Sequence, residues 1–336
     1  MYRIIIDAMG GDNAPQAVIE GTLLALKEYD DITVVFTGKE EVIKGCLEGQ
    51  EYDTSRVEII DAREEIEMAE SPVAAVRTKK DSSMVVGMKM AAEGKGDVFI
   101  TAGSTGAAVA GGTFVVRRAP NVLRPALAPL LPSKDGHFLL VDCGANVDCK
   151  PEFLQQFAIM GSLYMKAVEG IESPRVGLLN NGAEEEKGNS LTKEAHQLLK
   201  ETDINFVGNA EGRDVFSGDY DVIVCDGFDG NVLMKSVEGC AQLLLGMMKD
   251  NLMGSFRTKM GALLAKPAFK ALKKTLDYTE YGGALLLGTR AGFIKAHGSS
   301  NAKAIKNTVI QARNIAKNEV ISKITAELEK LGDKEE

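Results

Sequence analysis

Val98-Phe99-Ile100-Thr101-Ala102-Gly103-Ser104-Thr105-Gly106, with the alanine-rich run that follows, sets the reading of the whole chain. A short apolar run closed by turn residues reads as a strand covered on both faces. Glycine then allows the tight turn into a helix. Working outward, the same unit recurs. Ile4-Ile5-Ile6 enters Asp7-Ala8-Met9-Gly10-Gly11-Asp12-Asn13-Ala14-Pro15 and a helix through Lys27, with strands expected over 32–37 and 57–60. Downstream, the run at 138–141 leads into Asp142-Cys143-Gly144-Ala145-Asn146-Val147-Asp148-Cys149-Lys150, and Pro151 suits a first helical position. The run at 176–179 leads into an Asn/Glu/Gly loop, and 222–225 into Asp226-Gly227-Phe228-Asp229-Gly230-Asn231. Strands alternating with helices predict an α/β protein of three α/β/α layers around a mostly parallel sheet. Ligands in such sheets bind beyond the carboxyl ends of the strands, the edge where all these loops fall. Residues 1–336 read as a single catalytic domain.

The chain has 336 residues, enough for one large core or two lobes, and its 45% hydrophobic and 26% charged residues are ordinary for a globular protein. A net charge of −9 argues against a nucleic-acid partner. Five cysteines at irregular spacing give no disulfide framework and fit a reducing compartment. The N-terminus goes directly into a strand pattern, so no signal peptide is expected. No apolar run reaches the roughly 18–20 residues of a membrane span. The expected location is the cytoplasm, with peripheral membrane contact at most.

Several of the loops place glycine-freed amides at a helix start, where they favour an anion. Gly103-Ser104-Thr105-Gly106 adds two hydroxyls, and also reads as a plain N-cap. Asp142, Asp148, Asn146 and Lys150 crowd one turn around Gly144, as a binding loop or as a local ion pair with Asx-turn bonding. Neither Cys143 nor Cys149 has a zinc-like spacing or a nearby histidine, and no metal site is expected. Lys187, close to a helix start, is a candidate contact for an anionic substrate, or part of a solvated acidic loop. The Asn231 amide is a candidate donor to a developing oxyanion, or its loop is only a turn and helix cap. Arg213 is a candidate phosphate clamp, or merely the ion-pair partner of Glu211 or Asp214. His196 lies in a polar helix and is expected to be exposed. His297, in Ala296-His297-Gly298-Ser299-Ser300, reads as a site or as a turn.

Over 246–276 the charge reverses: Lys249, Arg257, Lys259, Lys266, Lys270, Lys273 and Lys274 face only Asp250, with methionine, leucine and phenylalanine between them. Gly254 and Pro267 are expected to break the segment into a protruding helical hairpin. Such a surface suits a membrane or an acidic partner. A last helix, expected over about 301–331, carries Ile305, Val309, Ala312, Ala316, Val320, Ile324 and Leu328 as a packing stripe.

In their order along nearly the whole chain, these motifs resemble the bacterial phosphate acyltransferase family, PlsX. The matching stretches are Asp7-Ala8-Met9-Gly10-Gly11-Asp12, Ala75-Val76-Arg77-Thr78-Lys79-Lys80-Asp81-Ser82-Ser83-Met84, Arg124-Pro125-Ala126-Leu127-Ala128, Gly144-Ala145-Asn146-Val147-Asp148-Cys149-Lys150-Pro151-Glu152, Lys187-Gly188-Asn189, Gly212-Arg213-Asp214, Asp226-Gly227-Phe228 with Gly230-Asn231, Tyr281-Gly282-Gly283-Ala284 and His297-Gly298-Ser299-Ser300. Ser104 and Phe153 stand where the family often has asparagine and histidine. The resemblance implies a fold like that of isocitrate dehydrogenases and phosphate acetyltransferases, usually as a homodimer, with no cofactor. It implies a long-chain acyl thioester of acyl carrier protein and inorganic phosphate as substrates, and an acyl phosphate product for glycerolipid synthesis. Three rivals are a coenzyme A-dependent phosphotransacylase, a dinucleotide-linked dehydrogenase on the same fold, and a non-enzymatic membrane scaffold.

Overall fold

The structure, a computed structural model, describes residues 1–275 and 280–332, with side chains for 1–270 and 280–330. The side chains of Lys273 and Lys274, and residues 333–336, lie outside the described residues. In chain order the strands are β1 (Tyr2–Asp7), β2 (Ile32–Gly38), β3 (Val57–Asp61), β4 (Val98–Thr101), β5 (Ala126–Ala128), β6 (Leu130–Ser133), β7 (Gly136–Val141), β8 (Val176–Asn180), β9 (Phe206–Glu211), β10 (Val222–Val224), β11 (Ala284–Leu287) and β12 (Gly292–Lys295). The helices are α1 (Gln16–Glu28), α2 (Glu40–Leu47), α3 (Pro72–Thr78), α4 (Ser83–Ala92), α5 (Thr105–Gly111), α6 (Pro151–Val168), α7 (Ser190–Lys200), α8 (Gly227–Met253), α9 (Phe256–Leu264), α10 (Lys266–Thr275), α11 (Ala302–Lys317) and α12 (Val320–Gly332).

The alternation of side chains along β1 explains the layering. Ile4 and Ile6 join the apolar cluster of α1 and α11, while Ile5 joins the opposite cluster with α4 and α5. All three are fully buried, each contributing roughly 1.5–3 kcal/mol by leaving water. The α/β/α architecture therefore holds.

The strands form two mostly parallel sheets rather than one, in the orders β3-β2-β1-β4-β12-β11-β5 and β6-β7-β10-β8-β9. The chain passes between them at Pro129. β5 pairs with β11, β6 pairs with β7, and Pro129 between them has no N–H to continue a ladder. One apolar cluster nevertheless draws on both sheets, from Ile4 and Ile6 to Val141 and Val224.

The C-terminal stripe is buried as expected, but on two helices. Glu319 adopts a φ of 52° between α11 and α12, which ends the first helix and turns the second onto α6. The basic segment also differs from a simple hairpin. Gly254 does interrupt it, closing α8, and Ser255 starts α9 with a capping box. Pro267 does not interrupt: it lies in the first turn of α10, where its missing N–H costs nothing, and the break falls at Ala265.

Candidate active site

β1 and β4 are neighbours, yet the chain leaves β1 towards β2 and β3 on one side, and β4, β12 and β11 lie on the other. Such a switch point opens a crevice at the carboxyl ends of the two strands. Here the two loops touch. A Cβ on Gly10 would lie 2.7 Å from the Gly103 nitrogen and 2.6 Å from Asp7 Oδ2, so only glycine fits. Asp7, 1% exposed, accepts bonds from the Thr101 hydroxyl (2.7 Å) and the Met9 N–H (3.2 Å), with Gly10 and Ser83 as further donors. Burial pushes its carboxyl above the usual range. Gly103 N–H donates to Thr101 Oγ1, and Asp12 N–H to the Gly298 carbonyl. Much of the amide supply at this edge therefore serves the protein's own groups. Ser104 caps α5, as its N-cap reading anticipates, leaving Thr105 and Gly106 exposed at the helix start.

Lys295, at the end of β12, escaped the sequence reading. It is 7% exposed and donates to the carbonyls of Ala102 and Ala296, with Asp7 and Asp12 near enough to favour its charge. Desolvation outweighs them and lowers its pKa from 10.5 to about 8. The signal was available in the pair of apolar runs at 284–287 and 292–295, which read as a hairpin carrying a lysine into a sheet. The sign of the pH effect follows from burial. Below pH 8 the folded state holds a charged, desolvated ammonium. Between pH 8 and 10.5 the unfolded chain binds more protons, so stability rises with pH. Relative to Lys295→Met, the wild type is expected to gain about 3 kcal/mol across this interval, measured by denaturant unfolding at each pH. Parallel profiles would show that the lysine is not desolvated.

The second sheet presents four loops at its carboxyl edge, after β7, β10, β8 and β9 in spatial order. Asp142, fully buried, organises the first: it accepts from the N–H groups of Leu127, Gly144, Ala145 and Asn146 and from Asn146 Nδ2, at 2.7 to 3.2 Å. These amides surround a resident carboxylate, the Asx-turn alternative. Asp148 and Lys150 are exposed and form no ion pair with each other among the described residues. The next loop is locked against the first, since Gly227 N–H donates to the Asn146 carbonyl at 2.8 Å. A Cβ on Gly230 would sit 1.8 Å from the Asp142 carbonyl oxygen. Asp226 caps α8 by accepting from the Asp229 N–H.

Asn231 follows in the first turn of α8, exposed, with Gly144 facing it: a Cβ there would lie 3.8 Å from Asn231 Cβ. Lys187 lies in the adjoining loop after β8, two residues before the Asn189 cap of α7; it is exposed and its ammonium forms no ion pair among the described residues. Arg213, after β9, is 77% exposed and pairs with Glu211 (3.2 Å) and Asp214 (3.6 Å). Lys187 thus stands between the loops of Asn231 and Arg213, with no contact joining the three.

α8 links the two edges. Lys235 and Glu238 follow Asn231 at helical spacing on one face and lie close enough to His297 to act on its protonation, while burial lowers its pKa. The face that begins at Asn231 therefore turns towards the loop after β12. His196, expected to be exposed, is 5% exposed: its Nδ1 bonds Asn209 Oδ1 at 2.9 Å and its ring meets Phe206 edge-on. The period of α7 places it on the sheet-facing side, a stripe that a polar sequence conceals.

Residues 2–323 match the family described as "Fatty acid synthesis protein". A phosphate acyltransferase of Clostridium botulinum is 52% identical over 321 residues, covering 96% of both chains. One from Clostridium kluyveri is 49% identical over 333 residues, covering 99% of both. Among solved structures, a phosphotransacetylase from Streptococcus pyogenes superposes with a TM-score of 0.62 at 15% identity over 94% of each chain. A branched-chain phosphotransacylase from Enterococcus faecalis gives 0.57 at 14% identity, over 94% of this chain and 99% of that one. These two share the fold. At half identity over almost the entire length, the relatives fix the rest: the chain belongs to the phosphate acyltransferase family of fatty acid synthesis proteins, and is an acyltransferase.

Proposed function

We propose that the enzyme transfers a long-chain acyl group from a carrier-protein thioester to inorganic phosphate, giving an acyl phosphate and the free carrier thiol for phospholipid synthesis. Phosphate binds beside Lys187, with Arg213 recruited from its carboxylate partners. A phosphate oxygen attacks the thioester carbonyl, the Asn231 amide donates to the tetrahedral oxyanion, and the thiolate leaves. A phosphate dianion is nucleophilic by itself, so aligning it with the thioester accounts for several kcal/mol of barrier lowering. The observation that carries this reading is the position of Asn231, beside Gly144 and next to the Lys187 loop, on a helix face directed towards the first sheet's loops.

Direct attack is favoured over an acyl-cysteine intermediate. Burial raises the thiols of Cys143 and Cys225 well above 9, and that of Cys149 to about 12, so none supplies a thiolate near neutrality. Cys143→Ala and Cys149→Ala are expected to keep turnover within about threefold, near the ±0.5 kcal/mol of a neutral change; a folded but inactive variant would restore covalent catalysis.

No described helix is long and apolar enough to cross a membrane. Phe256 (80% exposed) and Leu264 (81%) on α9, with the adjacent lysines, fit peripheral contact with an anionic bilayer. The test of the whole reading compares phosphate-dependent thiol release from palmitoyl carrier protein and from short acyl-coenzyme A. Faster release from the carrier, with label from phosphate in the acyl product, is expected. Phosphate-independent release would make the enzyme a thioesterase.

A further inference from the structure

Twelve arginines occur in the chain. Six pair with carboxylates: Arg3, Arg56, Arg63, Arg175, Arg213 and Arg313. Of the six without a carboxylate partner among the described residues, Arg257 is on α9. The other five gather at one place. Arg117, Arg118 and Arg290 line a groove of about 570 Å³ whose lining, among the described residues, has no carboxylate. Arg77 lies over the ring of Phe114 in that lining at 5.5 Å, and Arg124 continues from it over Phe153 at 5.7 Å. The Arg118 guanidinium is held by the Val122 carbonyl at 3.2 Å, and Arg290 Nε by the Arg118 carbonyl at 3.1 Å. Phe114 and Leu123 remain 51% and 39% exposed along its wall.

In a chain of net charge −9, five arginines kept clear of acids around exposed apolar anchors make a surface complementary to an acidic protein. Arginine suits bidentate capture of carboxylates, whereas the lysines of α9 and α10 suit a lipid surface. The groove also adjoins the site. Its wall ends at Leu123, and two residues on, the Pro125 carbonyl accepts from Asn146 Nδ2 (2.7 Å) in the Asp142 loop that faces Asn231.

We propose that this arginine groove docks the acidic face of the thioester-bearing carrier protein, leaving α9 and α10 to the membrane. The inference rests on the carrier thioester being the acyl donor. The test is Arg117→Glu with Arg290→Glu, and Arg117→Gln with Arg290→Gln should charge reversal impair folding. Kinetics are measured with palmitoyl carrier protein and with palmitoyl-pantetheine, which has the same thioester and no protein. The expected result is a KM for the carrier raised at least tenfold, with kcat and the use of palmitoyl-pantetheine unchanged. An unchanged KM overturns the docking site while the donor reading stands, as does equal loss with both thioesters. Altered oligomeric size would assign the groove to a second copy, and lost vesicle binding would assign it to lipid; either result overturns the proposal. A wild type that uses palmitoyl-pantetheine but not the carrier removes both readings.

Discussion

Replacing Asn231 with alanine is expected to lower the rate of acyl phosphate formation by about 10²–10³-fold, the usual effect of removing one oxyanion donor. The protein should remain folded, because the Asn231 side chain is exposed and makes no hydrogen bond among the described residues. Packing therefore gives no reason for an amide there. Lys187→Ala is expected to lose activity on a similar scale, but chiefly by weakening phosphate. Its ammonium forms no ion pair among the described residues, and a lysine acts on phosphate as a point charge. The two variants separate in their kinetics: the lysine change raises the KM for phosphate, and the asparagine change lowers kcat. Near-normal turnover in both would remove these residues from the mechanism.

Asp142→Asn should destabilise the protein by about 3–5 kcal/mol, since charge-assisted bonds contribute about 1.5–3 kcal/mol each. The carboxylate accepts five bonds, three on Oδ1 and two on Oδ2. An asparagine can keep the first group. Its NH₂ would then confront the two donors of Asn146: the N–H would lose its acceptor, while Nδ2 would keep only the Pro125 carbonyl. The loss should appear in urea unfolding, and activity should fall with it, because the loop that faces Asn231 hangs on this carboxylate. A change below about 0.5 kcal/mol would mean that the network is not formed.

The fold was legible because strand runs such as Ile4-Ile5-Ile6 and Val98-Phe99-Ile100-Thr101 are short, apolar and followed by glycine, signals that local sequence carries in full. The division into two sheets was not, since it depends on which distant partner β5 and β6 find on either side of Pro129. The break at Glu319 was hidden for a related reason: its burial stripe continues unbroken, and only a positive φ at a non-glycine residue marks the turn.

At the site, the loops were legible but the destinations of their amides were not. Aspartate beside glycine reads equally as a ligand contact and as the acceptor for its own turn, and Asp142 takes the second role. Lys295 and the arginine groove were missed because their residues are far apart in the chain. Arg290 meets Arg118 only after β11 has folded beside β5.

The most direct measurement is a crystal structure of the enzyme with bound phosphate. An oxyanion within hydrogen-bond distance of Lys187 Nζ, with Arg213 turned from Glu211 towards it and the Asn231 amide adjacent, is the expected result. Phosphate bound at another place, with Lys187 and Arg213 unmoved, would contradict the account.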